Sequence, residues 1–296
     1  MFDRSVHHRV RVAEDDRTHC VRLWPAPDPQ APLPIPKGYP MPILDKFNLT
    51  GRVALVTGGN RGLGQQMALA LAEAGADVAL TSRDQHRADA AAAEIAQATG
   101  RAVRGYSCDV SSSAETMALV QQVIRDLGGL HILVNNAGIN IRGPIEELTP
   151  EEFRQVLDTN VVGVWNICRA AAKHLKAQKY GRVINIGSTL SVIALADRTP
   201  YTSSKGAVLQ MSRALALEWA PFGITVNTML PGPFATEMNL PLMNDPEKYK
   251  EFIAKIPLGR WGNLEEIGGL AVFLASDAAS FVTGAGVTID GGWTVH

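Results

Sequence analysis

Along this chain, short apolar runs alternate with segments in which apolar residues recur at helical spacing. The first run, residues 52–57, stops at glycines and predicts a buried strand, because a strand covered on both faces is apolar throughout. Residues 64–74 have helical spacing and are followed by Gly75, a residue typical of helix C-termini, so they predict a helix. The other predicted strands are 77–81, 103–107, 131–135, 182–186, 225–230 and 287–290, and a second helix is predicted at 88–98.

This alternation determines the predicted fold class. It is typical of a parallel sheet covered by helices on both faces, which is a doubly wound α/β fold. The pattern contains no internal repeat and no second core. We therefore expect a single domain over residues 43–296.

Residues 1–42 depart from the pattern. The segment 25–42 is rich in proline, which withholds the backbone N–H that helices and sheets use. We expect residues 1–42 to be a disordered N-terminal extension, or sequence upstream of a start at Met41. The alternative is an arm that docks on a neighbouring subunit through Trp24 and the proline-rich run.

The composition narrows the function classes. Of 296 residues, 46% are hydrophobic and 19% are charged, as in a soluble globular protein with a sizeable core. A net charge of -1 gives no reason to expect nucleic acid or an anionic membrane as a partner. No apolar run approaches the roughly 20 residues needed to span a bilayer. The three cysteines are scattered and lack metal-ligand spacing, so we expect reduced thiols, no metal site and a cytoplasmic location.

A glycine-rich turn follows the first predicted strand and opens the first predicted helix. Glycine lets the backbone approach a pyrophosphate, and a helix N-terminus offers it free N–H groups and a positive dipole end. The candidate nucleotide-binding residues of this turn are Gly58, Asn60, Arg61, Gly62, Leu63 and Gly64.

The Gly-x-x-x-Gly-x-Gly spacing of this turn resembles the short-chain dehydrogenase/reductase family. The resemblance extends over about residues 47–294. It implies a Rossmann-type fold and a nicotinamide cofactor that exchanges a hydride with a carbonyl or a secondary alcohol.

The end of the second predicted strand bears on which nicotinamide cofactor binds. In NAD sites an acidic residue here holds the ribose 2′-OH, but this chain has Ser82 followed by Arg83. Arginine pairs well with a 2′-phosphate, and Arg61 can reach the same side, so these residues favour NADP(H). Asp84 leaves NAD open, because its carboxylate could swing toward a ribose hydroxyl.

Further cofactor contacts are implied by the family resemblance. Asp109 and Val110 follow the third predicted strand, where the family contacts the adenine ring. From the residues alone, Asp109 is more often a turn or helix N-cap residue. The other matches are Asn136, Ala137 and Gly138 of an Asn-Asn-Ala-Gly motif, and Pro231, Gly232 and Thr236 of a Pro-Gly-x-x-x-Thr motif.

Tyr201 and Lys205 are the candidate catalytic pair. Their i, i+4 spacing places them on one face of a helix. A phenol with a pKa of about 10 is a poor acid–base group at neutral pH, and a nearby ammonium lowers that pKa. We therefore expect Lys205 to activate Tyr201 as the proton donor or acceptor. The resemblance implies that Lys205 also binds the nicotinamide ribose.

Two further catalytic residues are implied by the resemblance. Ser188 precedes Tyr201 at the family's usual interval and is the expected substrate-polarising hydroxyl, with Ser191 as a nearby competitor. The family more often has Ser-Ser here, whereas this chain has Gly187 at the first position. Asn160 matches the asparagine of the family's proton relay. Considered alone, it is a mid-helix polar residue that bends the helix or binds water.

The sequence indicates the substrate less specifically than it indicates the cofactor. Several segments, among them the one containing Arg142, are most similar to the sugar-acid branch of the family, which includes gluconate 5-dehydrogenase-like enzymes. Arg142 is a candidate partner of a substrate carboxylate. A 3-oxoacyl-(acyl carrier protein) reductase shares the same motifs, and a non-catalytic nucleotide-sensing protein is the alternative from another class.

The resemblance also implies self-assembly. Family members usually pair the helices that carry Asn160 and Tyr201 in the present chain, so we expect a homotetramer, or at least a homodimer. The expected partners are therefore a small-molecule substrate and further copies of the chain.

Overall fold

The computed structural model describes residues 41–239 and 244–295. The strands in these ranges are β1 (Val53–Val56), β2 (Asp77–Ser82), β3 (Val103–Ser107), β4 (Ile132–Asn135), β5 (Gly181–Ile186), β6 (Ile224–Pro231) and β7 (Gly286–Ile289). The helices are α1 (Gly62–Glu73), α2 (Gln85–Thr99), α3 (Ser113–Leu127), α4 (Pro150–Leu157), α5 (Gly163–Gln178), α6 (Thr199–Trp219), α7 (Pro246–Ile253) and α8 (Glu266–Ala275). The strands form one parallel sheet in the order β3-β2-β1-β4-β5-β6-β7, which confirms the doubly wound α/β fold.

Most of the predicted N-terminal extension lies outside the described residues. Residues 1–40 are not described, so the disorder of the extension and its docking alternative stay predictions. Met41–His296 forms one compact unit. In the ranges that the structure describes, no helix combines the length and the apolar character needed to cross a membrane.

The two faces of the sheet pack against separate apolar cores. Ala54 and Val56 of β1 belong to the core under α1, α2 and α8, whereas Val53 and Leu55 belong to the core under α3, α5 and α6. The central strands β1, β4, β5 and β6 are buried at every position. Burial on both faces explains why these strands are mainly apolar, and the polar residues within them, among them Arg182 and Asn185 of β5, are buried as well. The edge strands β3 and β7 are partly exposed.

One predicted helix begins earlier in the structure, for a local reason. Helix α2 begins at Gln85 rather than at residue 88, because Asp84 caps it. One Asp84 carboxylate oxygen accepts the backbone N–H of His86 at 2.9 Å. The helix ends as predicted at Gly100, whose φ of 67° is a left-handed conformation that favours glycine.

A crevice opens where the strand order reverses. Strand β1 pairs with β2 on one side and with β4 on the other. Because the connections leave β1 and β4 in opposite directions, the loops separate outside the carboxyl ends of these strands. The glycine-rich turn after β1 and the Asn-Asn-Ala-Gly segment at the end of β4 both lie at this edge.

At the opposite edge of the sheet, His131 joins β4 to β1. Its Nδ1 accepts the backbone N–H of Val53 at 3.0 Å, so the folded protein uses the neutral imidazole as an acceptor. Burial, with smaller contributions from Arg52 and His174, lowers the pKa of His131 from its ordinary value of 6.5.

Protonation of His131 should destabilise the fold. Because its pKa is lower in the folded than in the unfolded chain, its contribution to the free energy of unfolding is fully present above about pH 6.5 and is lost as the pH falls toward the folded pKa. The variant His131→Gln keeps an acceptor but does not titrate. Its urea midpoint should therefore fall less than that of the wild type between about pH 7.5 and about pH 5. An equal fall in both proteins would contradict this.

Candidate active site

A cavity of about 1130 Å³ lies at the carboxyl ends of the strands. Its wall contains every cofactor and catalytic residue predicted above except Asn160, and it also contains Arg142. Residues far apart in the sequence therefore meet at one site, as expected for a crevice at the point of strand-order reversal.

The glycine-rich turn and the Asn-Asn-Ala-Gly segment are fastened to each other. The Thr57 hydroxyl oxygen accepts the backbone N–H groups of Asn136 and Ala137 at 3.0 and 3.1 Å. The Asn136 side-chain amide donates to the carbonyls of Thr57 and Gly58, both at 3.0 Å. A Cβ on Gly64 would lie 2.3 Å from the Gly58 oxygen, so only glycine fits this position without a backbone shift.

The start of α1 fits a dinucleotide pyrophosphate. Arg61 is the N-cap residue, and no side chain in the described ranges caps this helix end, which leaves its positive dipole end facing the turn. Gly58 and Gly62 have φ of 63° and 54°, a left-handed conformation that keeps the turn tight. These features suit close approach of a phosphate to the backbone.

At the adenosine end of the cavity, the alternative role of Asp84 loses support. Its carboxylate accepts the backbone N–H groups of His86 and Arg87 and also lies 3.5 Å from the Arg87 guanidinium. The Asp84 carboxylate, which kept NAD binding as an alternative, is therefore engaged at the start of α2. Arg83 and Arg87 both line the cavity. Arg87 was not predicted, because an arginine in a first helical turn carries no signal of its own.

Two other cofactor-site residues make local contacts as well. Asp109 accepts the backbone N–H and the hydroxyl of Ser111 at 2.9 and 2.7 Å, which is the turn role that its residue type suggested. These hydrogen bonds lower the pKa of the Asp109 carboxyl. Arg61 forms an ion pair with Glu237 across the cavity.

Lys205 lies in the cavity wall and is almost entirely buried. Its side chain is 4% exposed, and its ammonium donates to the Ile186 carbonyl at the end of β5 over 2.7 Å. Burial lowers the pKa of Lys205 to about 8. The ammonium lies 5.5 Å from the centre of the Tyr201 ring, one helical turn away on α6, as the i, i+4 spacing predicts.

The direction of the Tyr201 pKa shift differs from our prediction. Burial raises the pKa of Tyr201 and outweighs the opposing effects of the Ser188 hydroxyl and the Arg142 charge. The prediction of a lowered Tyr201 pKa is therefore wrong for this arrangement. The reason is that desolvation penalises the phenolate more than the Ser188 hydroxyl and the Arg142 charge together stabilise it.

Of the two candidate serines, only Ser188 lies in the cavity wall. The Ser188 hydroxyl interacts with the Tyr201 phenol and accepts the backbone N–H of Leu190 at 3.1 Å. Ser191 instead donates to the Lys205 carbonyl at 2.8 Å and accepts the backbone N–H of Ser188 at 3.2 Å. Ser191 is therefore a positioning residue that ties the end of β5 to α6.

Asn160 lies behind the wall and is fully buried. Its amide group donates to the Ile139 carbonyl at 2.9 Å and to the Ser204 hydroxyl at 3.0 Å, while its oxygen accepts the Ile139 N–H at 2.8 Å. The surrounding segment, Asp158–Val162, is a π-helical turn between α4 and α5. The expected helix distortion is thus present. Both side-chain N–H groups are used within the protein, so any relay water would have to meet other groups of this turn.

The cavity wall also contains aromatic and further basic residues. Phe252 stacks on Trp261 with ring centres 4.7 Å apart, and Trp293 lies 5.7 Å from Phe252. Arg142 and Arg198 line the same cavity. Arg198 was not predicted, because nothing in its sequence neighbourhood distinguishes it from a surface arginine. Among the described residues, no group of three or more His, Cys, Asp or Glu side chains could hold a metal ion.

Residues 58–294 match a family model described as enoyl-(acyl carrier protein) reductase. The chain is also 40% identical over 251 residues to a 2-dehydro-3-deoxy-D-gluconate 5-dehydrogenase of Pseudoalteromonas atlantica, covering 85% of this chain and 99% of that protein. The chain belongs to the short-chain dehydrogenase/reductase family. It is thus an NAD(P)-dependent oxidoreductase acting on CH–OH groups.

Other family members give the same result. A gluconate 5-dehydrogenase of Gluconobacter oxydans is 39% identical over 251 residues, with 85% of this chain and 98% of that protein covered. The crystal structure of a gluconate 5-dehydrogenase from Burkholderia cenocepacia, in complex with NADP and tartrate, is 38% identical and gives a TM-score of 0.83. That match covers 86% of this chain and 99% of the other. These relatives confirm the family resemblance and the Rossmann-type fold.

Gly64→Ala should disrupt the dinucleotide cradle, because the added methyl would meet the Gly58 oxygen and the Asn136 amide at 2.3 and 2.4 Å. We expect NADPH affinity to fall at least about 10-fold, together with a lower Tm. Gly269→Ala is the matched control, since Gly269 lies in α8 with nothing within 4 Å of an added Cβ. That variant should keep wild-type affinity and be slightly more stable. Wild-type NADPH binding by Gly64→Ala would contradict the proposed cradle.

Proposed function

We propose that this dehydrogenase interconverts a secondary alcohol and a ketone on a sugar acid, or on a related polyol, with NADP(H) as the hydride carrier. The observation that carries the proposal is the meeting of Ser188, Tyr201 and Lys205 in a cavity that Arg142 also lines. An arginine beside a proton-transfer group suits a substrate that bears a carboxylate. Relatives named for gluconate and 2-dehydro-3-deoxygluconate support the same substrate class.

The preference for NADP(H) rests on charge at the end of β2. Ser82 replaces the acid that would repel a 2′-phosphate, and Arg83 and Arg87 line the cavity beside it. Asp84 is engaged as the cap of α2. A related gluconate 5-dehydrogenase solved with NADP supports this choice.

The proposed mechanism divides the work between the cofactor and four residues. The cofactor supplies or accepts the hydride. The hydroxyls of Ser188 and Tyr201 hydrogen-bond the reacting substrate oxygen and stabilise the charge that develops on it. Tyr201 gives a proton to that oxygen in reduction and takes one in oxidation. Lys205, with a pKa of about 8, keeps a positive charge beneath the Tyr201 ring at neutral pH, and Asn160 holds the Ile139 backbone in place.

One observation favours a second candidate function. The description of the matching family model names a reductase that acts on an acyl carrier protein derivative. A 3-oxoacyl-(acyl carrier protein) reductase therefore remains the alternative. A non-catalytic nucleotide sensor has less support, because Tyr201 and Lys205 are both present and within reach of each other.

Assembly and location are part of the same proposal. A homotetramer, or at least a homodimer, is supported by apolar side chains exposed on the helices that family members pair. Trp165 of α5 is 50% exposed and Leu217 of α6 is 81% exposed. A cytoplasmic location is supported by Cys108 and Cys168, which are buried free thiols.

A substrate panel with both cofactors tests the function. The wild type should oxidise gluconate or a related sugar acid, faster with NADP than with NAD, and the rate should rise with pH because oxidation needs the Tyr201 phenolate, whose pKa is raised. Tyr201→Phe keeps the ring but removes the proton donor, so turnover should fall at least about 100-fold while NADPH binding stays close to wild type.

Three results would contradict these expectations. Strong reduction of acetoacetyl thioesters without sugar-acid oxidation would favour the carrier-protein reductase. Equal kcat/KM with the two cofactors would remove the case for NADP(H). Wild-type turnover by Tyr201→Phe would exclude Tyr201 as the proton donor.

A further inference from the structure

Besides Arg61, Arg83 and Arg87, three arginines line the cavity: Arg142, Arg154 and Arg198. They differ in how their charge is balanced. Arg154 donates to Glu151 over 2.9 Å, and both side chains are mostly exposed, so this charge is paired and faces water. Among the described residues, Arg198 forms no ion pair with a carboxylate, and its side chain is half-buried.

Arg198 is held in a defined position. It is the N-cap residue of α6, three residues before Tyr201, and its guanidinium donates to the Asp197 carbonyl at 2.9 Å. The same carbonyl accepts the backbone N–H of Gly143 at 3.2 Å. This shared acceptor fastens the segment that carries Arg142 to the segment that carries Arg198. The hydrogen bond to the Asp197 carbonyl uses only part of the five N–H donors of the Arg198 guanidinium.

The surroundings of Arg198 are unfavourable for a positive charge. Burial and the charge of Arg142 lower the pKa of Arg198, and the negative charge of the neighbouring Asp197 offsets them only in part. The N-terminus of α6, a helix of 21 residues, adds its positive dipole end at the same place. A cation there opposes the dipole rather than complementing it. An anion that binds between the two arginines would relieve these repulsions.

We propose that Arg198 is a specificity-determining residue that binds the substrate carboxylate together with Arg142, so that the site selects sugar acids over neutral polyols. This inference rests on the proposed function, since it assigns the anionic end of the same substrate. Two guanidinium groups can each form charge-assisted hydrogen bonds to one carboxylate. The loop tie through Asp197 keeps the pair assembled before the substrate arrives, which lowers the entropic cost of binding.

Binding of tartrate, a small hydroxy-dicarboxylate, tests the inference without turnover. Calorimetric titration into protein saturated with NADP should show roughly 10- to 100-fold weaker binding by Arg198→Gln than by the wild type. Arg198→Lys keeps the charge but loses the fork, so its affinity should be intermediate. Arg154→Gln is the matched control on the same wall, and its affinity should equal that of the wild type. Thermal unfolding checks that each variant is folded.

Steady-state kinetics give the second readout. For gluconate, Arg198→Gln should raise KM by roughly 10- to 100-fold and lower kcat much less, because the contact is made to the carboxylate rather than to the reacting oxygen, and is made equally in the ground and transition states. Its kcat/KM for a neutral polyol should change much less than its kcat/KM for gluconate. A purely structural role would instead lower both in proportion.

The outcomes separate the two proposals. Wild-type tartrate affinity in Arg198→Gln, an equal loss in Arg154→Gln, or no tartrate binding by the wild type would each overturn the inference. If Arg198→Gln binds tartrate as tightly as the wild type while the wild type oxidises gluconate, the proposed function stands and the role of Arg198 fails. If tartrate binding depends on Arg198 but no sugar acid is oxidised, the anion site stands and the proposed function fails.

Discussion

The site depends on the burial of one positive charge. Lys205 is almost entirely removed from water, and a buried ammonium costs several kcal/mol unless protein groups replace the lost hydration. Its partner is the Ile186 carbonyl at 2.7 Å, the last residue of a central strand. Because that carbonyl lies at the carboxyl edge of the sheet, it fixes Lys205, and with it Tyr201 one turn earlier on α6, beside the crevice that the strand order opens.

Irregular elements surround the buried Lys205. A Cβ on Gly138 would lie 3.1 Å from the Asn160 oxygen and 3.6 Å from the Lys205 ammonium, so a side chain at this position would crowd Asn160. Asn160 uses its side chain to hold the Ile139 backbone in place, and the helix accommodates it with a π-turn. Such single-turn π-bulges are often found at functional sites.

The sequence allowed the fold and the cofactor-binding and catalytic parts of the cavity wall to be predicted, because these depend on local pattern and on motifs shared with a known family. Buried strands are short, mainly apolar runs, and the glycine-rich turn and the tyrosine–lysine spacing are short-range signals. The features that were missed depend on contacts between distant segments. A role for Arg198 is suggested only by its position near Arg142, which lies far away in the sequence. The N-cap role of Asp84 was missed because the start of α2 was predicted three residues too late. The direction of the Tyr201 pKa shift depends on burial depth, which no spacing rule measures.

The most direct test is to remove the buried charge while keeping the side-chain length. We expect Lys205→Met to fold, because replacing a buried charge by an apolar group of similar size is often tolerated. Its turnover should fall at least about 100-fold in each direction, and the pH at which oxidation becomes fast should move upward, since the phenolate loses its neighbouring cation. A folded Lys205→Met protein with wild-type turnover and an unchanged pH profile would contradict the account.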